Sequence, residues 1–469
     1  MPRVKSTSMP RVEAPALRAS IADVSPDRFI FDAAARARLA DLGNGTCLGG
    51  RLGELADRSV LLAAAGQLTT ALALIELDGV ARRLTILPSD VAPDHLSAIV
   101  AGAEIDAVVL DRGSAPSPAF DVALRVVGTA DIARADRLAL PSRDTEWVML
   151  TSGTTGVPKM AVHSLAGLTA AFRMRRPEAG VVWGTFYDIR RYGGLQIFLR
   201  AVLGGVSLVL SSAGESIAEH LGRLGRHGVT HLLGTPTHWR RALMSPAIGK
   251  ISPRYVRLSG EIADQVILDN LHAAFPHAVV SHAFASTEAG VAFEVRDGLA
   301  GFPAEFVECR RDGVEMMVVD GSLRIRSPRA AVRYIGGAAA LRDADGFVDT
   351  GDMVERHGGR YLFAGRRGGI INVGGLKVHP EEIEAVINRH PRVRMSLVRG
   401  KRSPVTGAVV AAEVVLKSGD QGANAANAVK DDILQLCRDE LPLYKVPAAI
   451  SIVPELDVAT TGKLVRRDA

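Results

Sequence analysis

The 469-residue chain predicts an α/β fold: a large N-terminal domain of layered α/β subdomains, followed by a small mobile α+β domain. Three observations predict it. Short apolar runs alternate with helical stretches from residue 60 onward. A loop rich in hydroxyl groups and glycine leaves the apolar run 147–150. After Asp352 the texture changes to glycine-rich turns and short strands.

Residues 60–62 read as a buried strand, 67–77 as a helix, 84–87 as a strand, 94–102 as a helix and 107–110 as a strand. The alternation resumes with a strand at 206–210, a helix at 216–227 and a strand at 231–233. Such βαβ units imply parallel sheets, here two three-layer halves meeting at a cleft. Beyond Asp352, Pro380 opens a helix whose start carries Glu381, Glu382 and Glu384, which suits the helix dipole. Strands at 396–399, 409–416 and 449–453 and a helix at 429–439 complete a small α+β unit. The expected organisation is a disordered extension at 1–28, where Met1-Pro2-Arg3-Val4 recurs at Met9-Pro10-Arg11-Val12, a large N-terminal domain at 29–366 and a small C-terminal domain at 367–469. No repeat of solenoid length is present.

Composition narrows the function classes. Hydrophobic residues make up 47% and charged residues 23%, as in soluble globular proteins. The net charge is only +5, aromatics are 5%, and no basic tract interleaves with them, so nucleic acid is not an expected partner. The apolar stretch 60–77 contains Gln67, Thr69 and Thr70 and reads as a strand and buried helix, not a membrane span. No secretory-type apolar core stands at the N-terminus. Cys47, Cys309 and Cys437 are scattered without metal-ligand spacing, which fits a reducing, cytoplasmic setting.

The chemistry begins at Thr151, Ser152, Gly153, Thr154, Thr155, Gly156 and Lys159. Glycines let the backbone close on a ligand, hydroxyls donate hydrogen bonds, and the lysine adds a point charge. That combination suits a polyphosphate, although the lysine spacing is not that of a Walker loop. Further along stand Phe284-Ala285-Ser286-Thr287-Glu288, Thr350-Gly351-Asp352, the glycine-rich stretch from Gly365 to Glu384, and Thr461-Gly462-Lys463. Together, and in this order, these segments resemble the motifs of the adenylate-forming enzymes, which include acyl- and aryl-CoA synthetases. The resemblance runs from about residue 30 to the end.

That resemblance implies a set of roles. Glu288 would hold Mg²⁺ and Thr287 would donate to the α-phosphate. Phe284 would face adenine, with Gly260 and Glu261 beside it. Asp352 would take both ribose hydroxyls, supported by Arg366. Lys463 would bridge the acid and the α-phosphate. Gly374, Gly375 and Lys377 would form a second loop, brought in for thiol attack. Tyr187, Arg190, Tyr192 and Gly193 would line the acid pocket, with Arg190 where many CoA ligases have His, and Arg190 or Arg191 would face the substrate and favour an acid with a second anionic or polar group. The chain also departs from the pattern at Ala285, and at Gly368, where the family hinge usually carries Asp. The implied activity is an ATP- and Mg²⁺-dependent carboxylic acid–thiol ligase that forms an acyl-adenylate and then acyl-CoA. A carrier-protein phosphopantetheine as acceptor, an amino acid as substrate, and a degenerate non-catalytic binding protein stand as alternatives. Asp188 sits too early to receive an amino group, which ranks the amino-acid reading lowest.

Overall fold

The computed structural model describes residues 16–21, 24–112, 122–135, 142–151, 158–172, 180–337, 340–403, 407–417, 423–459 and 462–466. Among them the alternation of apolar runs and helices resolves into two large sheets. The seven-stranded sheet has the order Arg333–Ile335, Met160–Ser164, Glu146–Leu150, Arg83–Ile86, Ser59–Leu62, Ala107–Asp111, Leu124–Gly128. Its last five strands pair in parallel and its first two antiparallel. Ser59–Leu62 is buried at every position, which is why it reads as a continuous apolar run without period-2 alternation.

The eight-stranded sheet has the order Gly290–Val295, Val279–Ser286, Tyr255–Ser259, His231–Gly234, Val182–Thr185, Ser207–Val209, Phe29–Phe31, Arg36–Arg38. Its six inner strands are parallel. Helix Gln67–Leu77, buried along its whole length, and helix Tyr192–Leu203 share one apolar cluster with both sheets. A helix enclosed on all sides needs no polar face. Each fully buried leucine there contributes roughly 1.5–3 kcal/mol.

A third, antiparallel sheet of five strands joins Phe302–Pro303, Arg360–Arg366, Val348–His357, Ser322–Arg326 and Glu315–Val319. After it, Ile371–Val373 and Leu376–Val378 make a hairpin, and helices Pro380–Ile387 and Ala423–Glu440 pack on the strands Val393–Ser403, Gly407–Leu416 and Ala449–Ile452. This unit has its own core around Ile383, Val398, Val414 and Ile433.

The expectation of a disordered extension over 1–28 is corrected in part. Residues 1–15 lie outside the described residues. Leu17–Ser20 forms a helical turn with Leu17 and Ile21 buried at 0% and 1% exposure. The Leu17 N–H donates to the buried Asp78 carboxylate at 2.9 Å. Two apolar residues at i,i+4 spacing fill a gap beside helix Gln67–Leu77, a signal masked by the surrounding prolines and charges.

Candidate active site

Four segments converge where parallel strands end. Thr151 follows Glu146–Leu150, Thr235 follows His231–Gly234, Gly260 and Glu261 follow Tyr255–Ser259, and Thr287 and Glu288 follow Val279–Ser286. Carboxyl ends of parallel strands are where open α/β sheets bind ligands. The Thr151 N–H donates to the Lys159 carbonyl at 3.0 Å, closing the neck of the phosphate-type loop. Ser152, Gly153, Thr154, Thr155 and Gly156 themselves lie outside the described residues.

Lys159 stands with its amine 5.3 Å from the centre of the Tyr334 ring, and the Tyr334 hydroxyl donates to Glu288 at 3.4 Å. Lys159, Glu288, Tyr334, Thr350 and Arg366 line a cavity of about 510 Å³. Cross-strand pairing sets Asp352 opposite Arg366, whose Nε lies 3.3 Å from the carboxylate. Arg366 also donates to the Thr350 carbonyl at 2.9 Å. Burial pushes the Asp352 carboxyl above its ordinary range, while Arg366 and Lys463 oppose it. Phe284 stacks on Phe363, with ring centres 5.4 Å apart, and on Phe293 at 5.8 Å.

Lys463 sits at the tip of a small hairpin. The Val458–Leu464 bridge, the Ala459 N–H to the Lys463 carbonyl (2.8 Å) and the Gly462 N–H to the Ala459 carbonyl (2.8 Å) fold it. The tip is docked on the strand ends of the large domain. Thr235 Oγ1 donates to the Gly462 carbonyl at 2.7 Å, and the Leu464 N–H donates to Glu261 at 3.2 Å. A Cβ built on Gly260 would lie 3.4 Å from Cε and 3.8 Å from Nζ of Lys463. As a whole residue Lys463 is exposed. The surrounding protein nevertheless pushes its ammonium below the ordinary lysine value by burial. Glu261 and Asp352 oppose this; Arg366 and Arg191 add to it. Behind the tip, Arg466 clamps the buried Glu384 with two hydrogen bonds of 2.8 and 2.7 Å.

The structure therefore brings Gly260, Glu261, Asp352, Arg366 and Lys463 together, with Lys159 and Glu288 lining the adjoining cavity. Thr287 lies next to Glu288, its backbone against His163. The Glu261 carboxylate is already engaged, by the Thr237 N–H (2.9 Å), the Thr237 hydroxyl (3.0 Å) and Leu464. Gly374 and Gly375, with φ of 58° and 88°, form the two-residue turn of an exposed hairpin that also carries Lys377. Among the described contacts, none joins that hairpin to the cleft.

On the acid side, Tyr187 donates from its hydroxyl to the Ser259 carbonyl at 2.7 Å, and its ring lies 3.5 Å from where a Cβ of Gly193 would stand. Tyr192 is buried, tilted against His163 at 5.7 Å. The assignment of Arg190 to the acid pocket is corrected. Its guanidinium binds Asp188 from Nε and Nη2 (2.9 and 2.6 Å) and the Ala64 and Ala65 carbonyls (3.0 and 2.9 Å), leaving 3% exposure. Those four acceptors consume its charge and donors, so it ties a loop to the first sheet. Arg191 pairs with Asp90.

Two histidines beside the cleft are held neutral. Burial pushes His163 down to about 4, with a Thr287 backbone contact opposing, and pushes His238 down to about 3, with Arg241 and His220 adding to it. A histidine charged only when unfolded favours the unfolded state as pH falls. Stability from these groups is full above about 6.5 and is lost progressively towards pH 4 and 3, by up to about 1.4 kcal/mol per pH unit for each. The melting temperature is expected to drop between pH 7.5 and 5, less steeply for His163→Leu; equal slopes would remove His163 from the account.

Sequence reading missed Thr235, His238 and Arg466. In the structure Thr235 caps helix Pro236–Met244 and Pro236 takes its first position, a local signal that the sequence reading did not use. Nothing local marks its second task of holding a tail 227 positions away.

Residues 65–331 match the sequence model of the AMP-binding enzyme family, and 382–463 match that of the AMP-binding enzyme C-terminal domain. An acetyl-coenzyme A synthetase 2 of Zygosaccharomyces bailii is 28% identical over 373 residues, covering 70% of this chain and 54% of that protein. The chain thus spans about half the length of the acetyl-coenzyme A synthetases it matches. A benzoate–CoA ligase of Thauera aromatica is 29% identical over 70% of this chain and 66% of its own length. A 2-succinylbenzoate–CoA ligase of Bacillus licheniformis is 25% identical over 76% of each. Among solved structures, an anthranilate CoA ligase in complex with anthranoyl-AMP superimposes with a TM-score of 0.77 at 16% identity, covering 96% of this chain and 95% of that one. ATP-bound MatB from Rhodopseudomonas palustris gives 0.76 at 21% identity, covering 96% and 97%, so the fold is shared. The chain belongs to the AMP-binding enzyme family.

Proposed function

We infer that the protein is an AMP-forming carboxylic acid–thiol ligase: acid and ATP give acyl-adenylate and pyrophosphate, then the thiol of coenzyme A displaces AMP. The observation that carries this reading is the docked Lys463 tip, which turns a cation towards the cleft that also holds Asp352 and Arg366. Two anions must meet in the first step, and a preorganised cation lowers that barrier.

The side chains fit the groups the reaction needs. The Asp352 carboxylate can accept two ribose hydroxyls, and Arg366 keeps it oriented. Among the described residues no cluster of three or more His, Cys, Asp or Glu can hold a metal alone. Glu288, with acceptor capacity beyond its Tyr334 contact, suits an ion that takes its other ligands from phosphate and water. Bound Mg²⁺ would supply charge neutralisation at the phosphates. Lys159 and the loop at 151–159 would hold the outer phosphates. Thr287 would steady the α-phosphate, with Phe284 and Gly260 bounding the base.

For the second step the small domain would turn about Arg366–Gly369, withdrawing Lys463 and carrying in Gly374, Gly375 and Lys377. Gly368 and Gly369 have open space around them, which suits a joint. Free thiols at Cys47, Cys309 and Cys437 fit a cytoplasmic enzyme, and no described helix is long and apolar enough to cross a membrane.

The test is pyrophosphate release with ATP and Mg²⁺ across aliphatic, aryl and dicarboxylic acids, then AMP release on adding coenzyme A or a phosphopantetheinylated carrier protein. Acid-dependent pyrophosphate followed by CoA-dependent AMP is expected. No release with any acid removes the ligase reading; release of AMP only with the carrier protein reassigns the acceptor.

A further inference from the structure

The interior beside the acid pocket holds more positive charge than its described carboxylate balances. In the strand Tyr255–Ser259, Val256 and Leu258 enter an apolar cluster, so Tyr255, Arg257 and Ser259 share the opposite face. That face meets Tyr187, whose hydroxyl reaches the Ser259 carbonyl at 2.7 Å. Arg257 is only 6% exposed, and its buried Nε has no hydrogen-bond partner among the described residues. Arg200, two turns beyond Tyr192 on helix Tyr192–Leu203, lies with its guanidinium 4.3 Å from the Phe172 ring centre. The two guanidiniums are close enough that Arg257, after burial, pushes Arg200 down to about 10.

Glu294 is the carboxylate that answers them. It already accepts the Tyr255 hydroxyl at 2.7 Å and Arg296 Nε at 2.9 Å. Burial raises its pKa, but Arg257, Arg296 and Tyr255 outweigh this and hold it near 2. Among the described residues one shared carboxylate leaves a surplus of positive charge, and the buried Arg257 Nε without a hydrogen-bond partner is costly. A site that tolerates that cost in the free protein is suited to an anion arriving from outside. Arg257 also acts electrostatically on Tyr187 and Tyr192, the tyrosines of the expected acid pocket.

We propose that Arg257, backed by Arg200, seats a second anionic group of the acid, so that the preferred substrates are dicarboxylic acids whose far carboxylate rests on the Arg257 guanidinium. The proposal deepens the ligase reading and rests on it. It also moves to Arg257 the preference that sequence alone attached to Arg190. Guanidinium and carboxylate match as a two-pronged hydrogen-bonded pair. Monoacids of equal length leave the cation unpaired and lose the corresponding affinity.

The experiment pairs hexanoate with adipate and benzoate with phthalate or terephthalate. It reads pyrophosphate release and, without ATP, the shift in melting temperature caused by each acid. Wild type is expected to favour a diacid by about tenfold or more in kcat/KM. Arg257→Met is expected to raise KM for the diacid about tenfold or more while kcat for the monoacid stays near wild type; Arg257→Lys restores part of the preference. A wild type that favours monoacids overturns the proposal without any variant. So does an Arg257→Met protein that loses mono- and diacid turnover equally, the mark of a structural role. Diacid-specific thermal stabilisation that Arg257→Met abolishes, with no pyrophosphate from any acid, upholds the seat and removes the ligase reading. Turnover without diacid preference removes the seat alone. No thermal shift and no turnover removes both.

Discussion

Lys463→Ala is expected to lower adenylate formation by about two to three orders of magnitude, the loss typical of removing one preorganised donor from a site of developing charge. The Lys463 hairpin is closed by the Val458–Leu464 bridge and seated through the Gly462 carbonyl and the Leu464 N–H. Glu261 and Asp352 act on the ammonium as counter-charges, against the effect of burial. The loss should be confined to the first half-reaction. ATP–pyrophosphate exchange should collapse, while transfer from a synthetic acyl-adenylate to coenzyme A stays close to wild type. A pH profile checks the same assignment. The ammonium is the working form, and burial lowers its pKa below the ordinary 10.5. Wild-type exchange in the free enzyme should therefore decline on the alkaline side at a pH below that value, and Lys463→Arg should push the decline upward. Equal loss of both half-reactions in Lys463→Ala would contradict a role specific to adenylation.

The sheets were legible because buried parallel strands and enclosed helices write themselves as largely apolar runs. The strand Ser59–Leu62 is apolar after Ser59, and the helix Gln67–Leu77 is apolar apart from Gln67, Thr69, Thr70 and Glu76. Asp352 and Arg366 were legible for a different reason. The resemblance of Thr350-Gly351-Asp352 and of the segment from Gly365 to family motifs named both, and the structure sets them opposite each other on adjacent strands. What stayed hidden depends on partners far apart in the chain. Arg190 lies three places before Gly193, yet Asp188 and two carbonyls 125 and 126 positions away decide its fate. The Glu261 carboxylate reads as part of a nucleotide loop, and only the folded chain brings the Leu464 N–H to it across 203 positions. Arg257 left one local trace: a cation between Val256 and Leu258, in a strand whose neighbours are buried. Such an interruption of an apolar run calls for an explanation before the structure supplies one.

Gly462→Ala is expected to cost adenylation nearly as much as loss of Lys463, although no reacting group is altered. A Cβ on Gly462 would lie 1.7 Å from Cε1 and 2.0 Å from Nε2 of His238, and the backbone there has φ of +71°. The imidazole has nowhere to retreat. Its Nδ1 accepts from the Thr235 N–H at 3.2 Å, and its ring stacks on Phe186 at 5.4 Å. A left-handed backbone adds about 1–3 kcal/mol for a residue other than glycine. The two costs together should reduce the population of the docked tail by about a hundredfold or more. Exchange should fall in proportion, while thioester formation from preformed adenylate, which does not use the docked tip, should persist. The double variant Gly462→Ala, His238→Ala makes room for the methyl group. It should regain part of the lost exchange, a coupling expected of residues in direct contact. Lys463→Ala admits no such rescue. If Gly462→Ala alone exchanged pyrophosphate at the wild-type rate, contact between the tail and His238 would have no part in adenylation, and the docked arrangement would have to be a resting state of the enzyme.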